Sequence, residues 1–320
     1  MEKILVTGGS GLVGYAIQKL SPGCIFMSSK DCDLTDYNET YKYFDKIRPK
    51  YVIHLAADVG GLYKNMNNPA SMFENNLMIN FNVLKCCKIF NVLKTVSCLS
   101  TCIYPDNCEY PITEDQLHDG APHESNYSYA YAKRMLEVQS RAYNSSSGEN
   151  RFICIIPTNI YGENDNYDME NGHVIPALIH KCYLAKLNNK PFVIFGSGTP
   201  LRQFIYSEDL AKLILKVLTN FEDSLLILST DEKDEISIRE VALKIAKLFD
   251  VTDIIFDQTK SDGQNKKTVS NDKLKNWLPD FCFIDFDIGL KCSVDWFIEN
   301  YEFCRNCSQF PQLDTSSCRK

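Results

Sequence analysis

The chain opens on a short apolar run, Lys3-Ile4-Leu5-Val6-Thr7, that leads directly into Gly8-Gly9-Ser10-Gly11-Leu12-Val13-Gly14. Glycines at i, i+3 and i+6 between a strand and a helix restrict the fold more than any other feature of the sequence. Gly8 is expected to make the tight turn, Gly11 to let backbone approach a pyrophosphate, and Gly14 to let the helix pack closely on the strand. The helix N-terminus then presents unpaired N–H groups to the anion. A lone glycine triplet is often only a turn, but here strand, helix and a repeating strand–helix series accompany it. Further apolar runs stand at Cys24-Ile25-Phe26-Met27, Tyr51-Val52-Ile53-His54-Leu55, Thr95-Val96-Ser97-Cys98-Leu99 and Phe152-Ile153-Cys154-Ile155-Ile156, with helical patterns between them. Strands apolar on both faces belong in a parallel sheet covered by helices, and the fold class expected is α/β with a right-handed, doubly wound sheet.

Residues 1–158 are assigned to a dinucleotide-binding Rossmann domain, to which a segment at about 200–225 is expected to return. Residues 159–199 and 226–302 are assigned to a smaller α/β substrate lobe, with helices near 174–187 and 237–249 and a strand at Phe192-Val193-Ile194-Phe195. Residues 303–320 carry little apolar periodicity and are expected to form a loose tail. After Pro69, the residues Phe73, Leu77, Phe81 and Leu84 recur at helical spacing, and Met72, Ile79 and Val83 extend the apolar surface beyond that face. This helix and the one near 128–143 are expected to pair with a second copy; the alternative is that both stripes pack on the sheet and a neighbouring helix.

Composition removes several function classes. With 320 residues, 44% of them hydrophobic, the chain can fill a large core, and no run approaches the roughly 18 apolar residues of a membrane helix. The net charge of −7 speaks against a general nucleic-acid grip. The fourteen cysteines show no framework spacing and the N-terminus no export signal, so reduced thiols and a cytoplasmic location are expected. Cys304 and Cys307 form one CxxC without a second pair, so no metal site is assigned.

The end of the second strand reads Ser28-Ser29-Lys30-Asp31. Two hydroxyls and an ammonium favour NADP(H), with Lys30 on the 2′-phosphate; Asp31 keeps NAD(H) open, and Lys30 as a plain surface lysine is the bland alternative. Asp33 and Leu34 are placed beside the adenine, and the small residues after His54, in Leu55-Ala56-Ala57, are placed where the cofactor lies close. Tyr129 and Lys133, four apart on one helical face, form a pair in which the ammonium is expected to lower the phenol's pKa for proton transfer. By itself a YxxxK match is weak.

Taken with Gly8, Gly11 and Gly14, and with Ser100 at the carboxyl end of a strand, the pair resembles the catalytic set of the extended short-chain dehydrogenase/reductases. Four further stretches are similar to the GDP-L-fucose synthase family within that superfamily, over about residues 2–300. They are Ser100-Thr101-Cys102-Ile103-Tyr104-Pro105, Ile156-Pro157-Thr158-Asn159-Ile160-Tyr161-Gly162, Gly172-His173-Val174-Ile175-Pro176-Ala177-Leu178 and Arg202-Gln203-Phe204-Ile205-Tyr206. The resemblance implies a two-domain homodimer that uses NADPH to convert GDP-4-keto-6-deoxy-D-mannose to GDP-L-fucose. It gives Cys102 and His173 to epimerisation at C3 and C5, and Tyr129, Lys133 and Ser100 to reduction at C4. Pro157, Asn159 and Ile160 fall at the cofactor, and Asn159, His173, Lys181, Phe195, Arg202, Lys260 and Asp262 at the GDP-sugar. Lys181 and Phe195 depart from the arginine and tryptophan of bacterial members. On their own residues, Cys102 is one thiol among fourteen, and His173 precedes an apolar helix that it could cap. Two other readings stand beside this one: another nucleotide-sugar epimerase or dehydratase of the superfamily, or an NADP(H)-sensing regulator without turnover. Thr101-Cys102 stands where a dehydratase would carry an Asp-Glu pair, and the presence of both Tyr129 and Lys133 speaks for turnover.

Overall fold

The apolar runs and the helical patterns between them alternate as β1 (Ile4–Thr7), α1 (Leu12–Leu20), β2 (Ile25–Met27), α2 (Tyr37–Ile47), β3 (Tyr51–His54), α3 (Leu62–Asn67), α4 (Pro69–Ile89), β4 (Lys94–Cys98), α5 (Tyr127–Ser147) and β5 (Phe152–Pro157). They continue as β6 (Asn159–Tyr161), α6 (Val174–Asn188), β7 (Phe192–Phe195), β8 (Leu201–Arg202), β9 (Phe204–Tyr206), α7 (Ser207–Asn220) and β10 (Leu225–Leu228). Last come β11 (Ile236–Ser237), α8 (Ile238–Leu248), β12 (Ile254–Asp257), α9 (Asp272–Trp277) and α10 (Phe286–Glu299). This computed structural model describes residues 2–304 apart from Gly61, Asn171, Ser261 and Gly263. Most of the expected tail, with Cys307 and Cys318, lies outside the described residues.

Six strands form one fully parallel sheet in the order β10-β5-β4-β3-β1-β2. The chain winds from β1 outward to β2, then crosses to β3 on the other side of β1. That reversal between β1 and β3 opens a crevice at the carboxyl ends of the strands. Alternate side chains fill two cores. Leu5, Val52, Cys154 and Ile156 pack on one face against Phe44 of α2, Val83 and Leu84 of α4 and Leu136 of α5. Val6, Ile53, Val96, Ile153 and Ile155 pack on the other against Ile17 of α1 and Leu210, Ile214 and Val217 of α7. At roughly 1.5–3 kcal/mol for each fully buried large aliphatic side chain, these layers are the main force that holds the sheet.

The return to this sheet runs further than the expected residues 200–225. Leu226 and Leu228 of β10 are fully buried in the edge strand, and Leu274 of α9 joins the same core with Trp277 and Leu278 beside it. A separate core gathers Tyr167, Ile175 and Ile179 with Phe192, Ile245, Val294 and Phe297, contributed mainly by α6, β7, α8 and α10.

The helix after Pro69 forms, but of the stripe Phe73-Leu77-Phe81-Leu84 only Leu84 is buried. The buried residues are Met72, Asn76, Asn80, Asn82, Val83, Leu84, Cys86 and Cys87, while Phe81 is 44% exposed. The buried asparagines are tolerated because each has hydrogen-bond partners. Asn76 bonds the backbone of Asp58 and the carbonyl of Met72, and Asn82 donates to the carbonyls of Leu34 and Thr35. Among the described residues no helix is long and apolar enough to cross a membrane.

Candidate active site

At the crevice the first turn departs from what a side chain would allow. Gly8 has φ of +69°, and a Cβ there would stand 2.8 Å from the Ala56 nitrogen. At Gly14 a Cβ would stand 2.5 Å from the Gly9 carbonyl oxygen, so α1 packs directly onto the turn. Gly11 caps α1 with no side-chain hydrogen bond, which leaves the first-turn N–H groups facing outward. Gly8, Ser10, Gly11, Leu12, Val13 and Gly14 line a cleft of about 1160 Å³ that runs from this turn across the sheet edge to the second core. Gly9 does not line it; its N–H is spent on Met27 O at 2.8 Å, and Phe26 lies against it.

Asp33 and Leu34 line the cleft, as do Leu55, Ala56 and Ala57. Lys30 does not, and the reason lies in the turn itself. The Asp31 carboxylate accepts the Ser28 N–H at 2.8 Å and the Ser28 hydroxyl at 2.7 Å. Those bonds hold its pKa below the usual carboxylate range. The closed turn presents Ser28 and Ser29 to the cleft and leaves Lys30 exposed at its tip.

Across the cleft, Ser100 follows β4 and caps a 3₁₀ turn, Thr101–Ile103, accepting the Cys102 N–H at 3.4 Å. Arg134 ties that turn to α5, donating to Ile103 O at 2.6 Å and to Gly120 O at 2.7 Å. Tyr129 and Lys133 stand on the face of α5 that meets the turn, and with Ser100 and Cys102 all four line the cleft. Lys133 donates to Cys98 O at 2.8 Å, with its ammonium 5.9 Å from the centre of the Tyr129 ring. The expected fall in the phenol's pKa is not what the geometry produces. Burial, with Cys102, Cys98 and Asp58 close by, pushes Tyr129 well above the ordinary tyrosine value, so the hydroxyl holds its proton. Burial also pushes Lys133 down.

His173 precedes α6 exposed at the cleft wall, and its side chain makes no capping bond, so the capping role is not the one it plays. Pro157, Asn159 and Ile160 line the floor, and Asn159 donates to Gln203 O at 2.9 Å. The far wall carries Lys181, 3.6 Å above the Phe195 ring. Lys260 stands 5.8 Å from the same ring but outside the lining. Arg202 lines the cleft with two guanidinium nitrogens on Leu201 O and Gln264 O. Asp262 is bound to the Ser197 N–H at 2.7 Å and hydroxyl at 2.8 Å, which pins the 260s segment onto the turn after β7. Sequence reasoning missed Asp58, Asn65, Asn126, Glu170 and Lys267, which also line the cleft. None stands in a periodic or glycine-marked position, and only the folding of distant segments brings them together.

The profile of the NAD dependent epimerase/dehydratase family matches residues 4–226. A GDP-L-fucose synthase of Dictyostelium discoideum is 54% identical over 94% of this chain and 97% of its own length. A probable GDP-L-fucose synthase of Drosophila melanogaster is 48% identical over 95% of this chain and 100% of its own. The crystal structure of a GDP-L-fucose synthetase from Naegleria fowleri bound to NADP superposes with a TM-score of 0.91 at 48% identity, over 95% of each chain. With its glycine turn, parallel sheet and Ser100/Tyr129/Lys133 cluster, the chain belongs to the NAD dependent epimerase/dehydratase family and, within it, to the GDP-L-fucose synthases.

Proposed function

We propose that the chain epimerises GDP-4-keto-6-deoxy-D-mannose at C3 and C5 and reduces C4 with NADPH to give GDP-L-fucose. The observation that carries this reading is one cleft lined by Cys102 from the turn after β4 and by His173 from the start of α6, together with Ser100, Tyr129 and Lys133. A thiol at position 102 suits removal of a carbon-bound proton better than elimination of water.

The residues present fit a dinucleotide. The cradle at Gly8 excludes any Cβ, the outward N–H groups of α1 suit a pyrophosphate, and Ser28 and Ser29 suit a phosphate ester. When bound, the reduced nicotinamide supplies the hydride. Lys133, on α5, would hold the nicotinamide ribose.

In the 4-keto sugar both C3 and C5 lie alpha to the carbonyl. Cys102, entering from the turn after β4, takes the proton, and His173, entering from the start of α6, returns one from the other wall, inverting the centre. Ser100 donates its hydroxyl to the ketone oxygen and so stabilises the enolate as well as the polarised carbonyl. Tyr129, kept protonated by burial, is the acid that protonates O4. On the far wall Lys181, Phe195 and Arg202 hold the GDP end, with a ring for the base and cations for the diphosphate.

The protein is further read as a homodimer that joins the outer faces of α4 and α5, where Met78, Phe81, Tyr131 and Met135 stand exposed. Eleven free thiols among the described residues support a reducing compartment, the cytoplasm, while Cys304 departs from the expected reduced state in being disulfide-bonded. Incubation with the keto sugar and NADPH, followed by product analysis, tests the function. GDP-L-fucose with consumption of NADPH is the expected result, and no consumption overturns it.

A further inference from the structure

Lys267 has no part in the chemistry above, yet its position is strongly determined. The carbonyl of Lys266 accepts the Tyr110 hydroxyl at 2.9 Å, and that of Thr268 accepts the Ile112 N–H at 2.9 Å. The Thr268 hydroxyl donates to Glu235 and the Val269 N–H to Gln203. With both neighbours anchored, the Lys267 side chain lines the cleft. Among the described residues none accepts a hydrogen bond from its ammonium or forms an ion pair with it. Burial pushes its pKa down, and the strongest attraction opposing this comes from Cys102; Arg202 repels it, and Asp106 and Cys108 attract it more weakly. The other two cations that interact with Cys102 are committed elsewhere: Arg134 to Ile103 O and Gly120 O, and Lys133 to Cys98 O.

We propose that Lys267 is the positioning cation for Cys102, facing its thiolate while the sulfur serves as base in epimerisation; this rests on the reading of Cys102 as that base. In the step so assigned, the C–H bond breaks, its proton forms an S–H bond, and the electron pair moves onto the ketone oxygen as enolate. Lys267 keeps its three protons and its charge. A half-buried cation left unpaired is costly, and a thiolate beside it compensates that cost.

The test uses the full chain and two readouts: the rate at which iodoacetamide alkylates Cys102, followed on its peptide by mass spectrometry, and deuterium wash-in at C3 and C5 of the keto sugar. Lys267→Met is expected to slow both by about tenfold or more, and Lys267→Arg to restore most of the loss. Lys267→Gln carries the same expectation as Met should the latter fold poorly, and Lys266→Met, outside the cleft, leaves both rates at wild type. Wild-type alkylation and wash-in in folded Lys267→Met or Lys267→Gln overturn the proposal. Cys102→Ser separates the two levels of the argument: if it abolishes wash-in while the Lys267 variants exchange normally, only the role of Lys267 fails. If it exchanges like wild type, the base assignment fails and Lys267 with it.

Discussion

Gly8 shows why a spacing rule works. Its φ of +69° and the 2.8 Å gap to the Ala56 nitrogen leave no room for any other residue, so Gly8→Ala is expected to cost about 1–3 kcal/mol and to weaken dinucleotide binding. Thermal melting with and without NADPH measures both. The pair Tyr129/Lys133 was legible for the same reason, since residues four apart on a helix share a face. The charge state of the phenol was not legible, because it depends on burial among Cys102, Cys98 and Asp58, which meet only in the fold. From these environments Cys102→Ser is expected to stop deuterium wash-in at C3 and C5. Tyr129→Phe leaves wash-in and slows NADPH oxidation by roughly 10²–10⁴-fold. Equal wash-in by Cys102→Ser and wild type sinks the base assignment.

Helix α4 was placed correctly by its apolar spacing and wrongly oriented by it. Hydropathy counts an asparagine as an outward residue, whereas Asn76, Asn80 and Asn82 are buried because the sheet and its loops supply their partners. Asn80 joins four elements. Its side-chain oxygen accepts from His54 Nε2 of β3 at 3.1 Å, its amide reaches Ala132 O of α5, and the other nitrogen of His54 accepts the Thr7 hydroxyl of β1 at 2.8 Å. His54 is thereby held neutral, and burial, with Lys133 nearby, pushes its pKa from 6.5 to about 3. The unfolded chain takes up this proton below its ordinary pKa and the folded one does not. Stability is therefore full above pH 6.5 and falls between there and about 3, by about 1.4 kcal/mol per pH unit from this group alone. Denaturant titrations in that range should show a shallower dependence on pH for His54→Gln than for wild type; identical slopes refute the neutral assignment.

Beyond single elements, the outer faces of α4 and α5 carry Phe81 and Met135, which are expected to meet their counterparts on a second copy. Charges there oppose burial, so Phe81→Asp with Met135→Asp should sediment as monomer while retaining wild-type secondary structure. A wild-type chain that sediments only as monomer sinks the dimer. The division between the two lobes was only partly legible: β10 and α9 come late in the chain yet complete the first sheet and its core. Nothing local distinguishes Leu226 or Leu274 from apolar residues of the other core, because a chain reversal leaves no periodic mark.

The sequence by itself determined the doubly wound architecture, the glycine turn and the shared helical face of Tyr129 and Lys133, since these follow from backbone sterics and helical period, while Ser100 and Cys102 were marked by the family resemblance. Only the tertiary structure decided that Lys30 stands outside the cleft, that Tyr129 is held protonated, and that Lys267 faces the same space as Cys102. Burial and electrostatic proximity belong to pairs of residues distant in the chain, and no local pattern encodes which of them will meet.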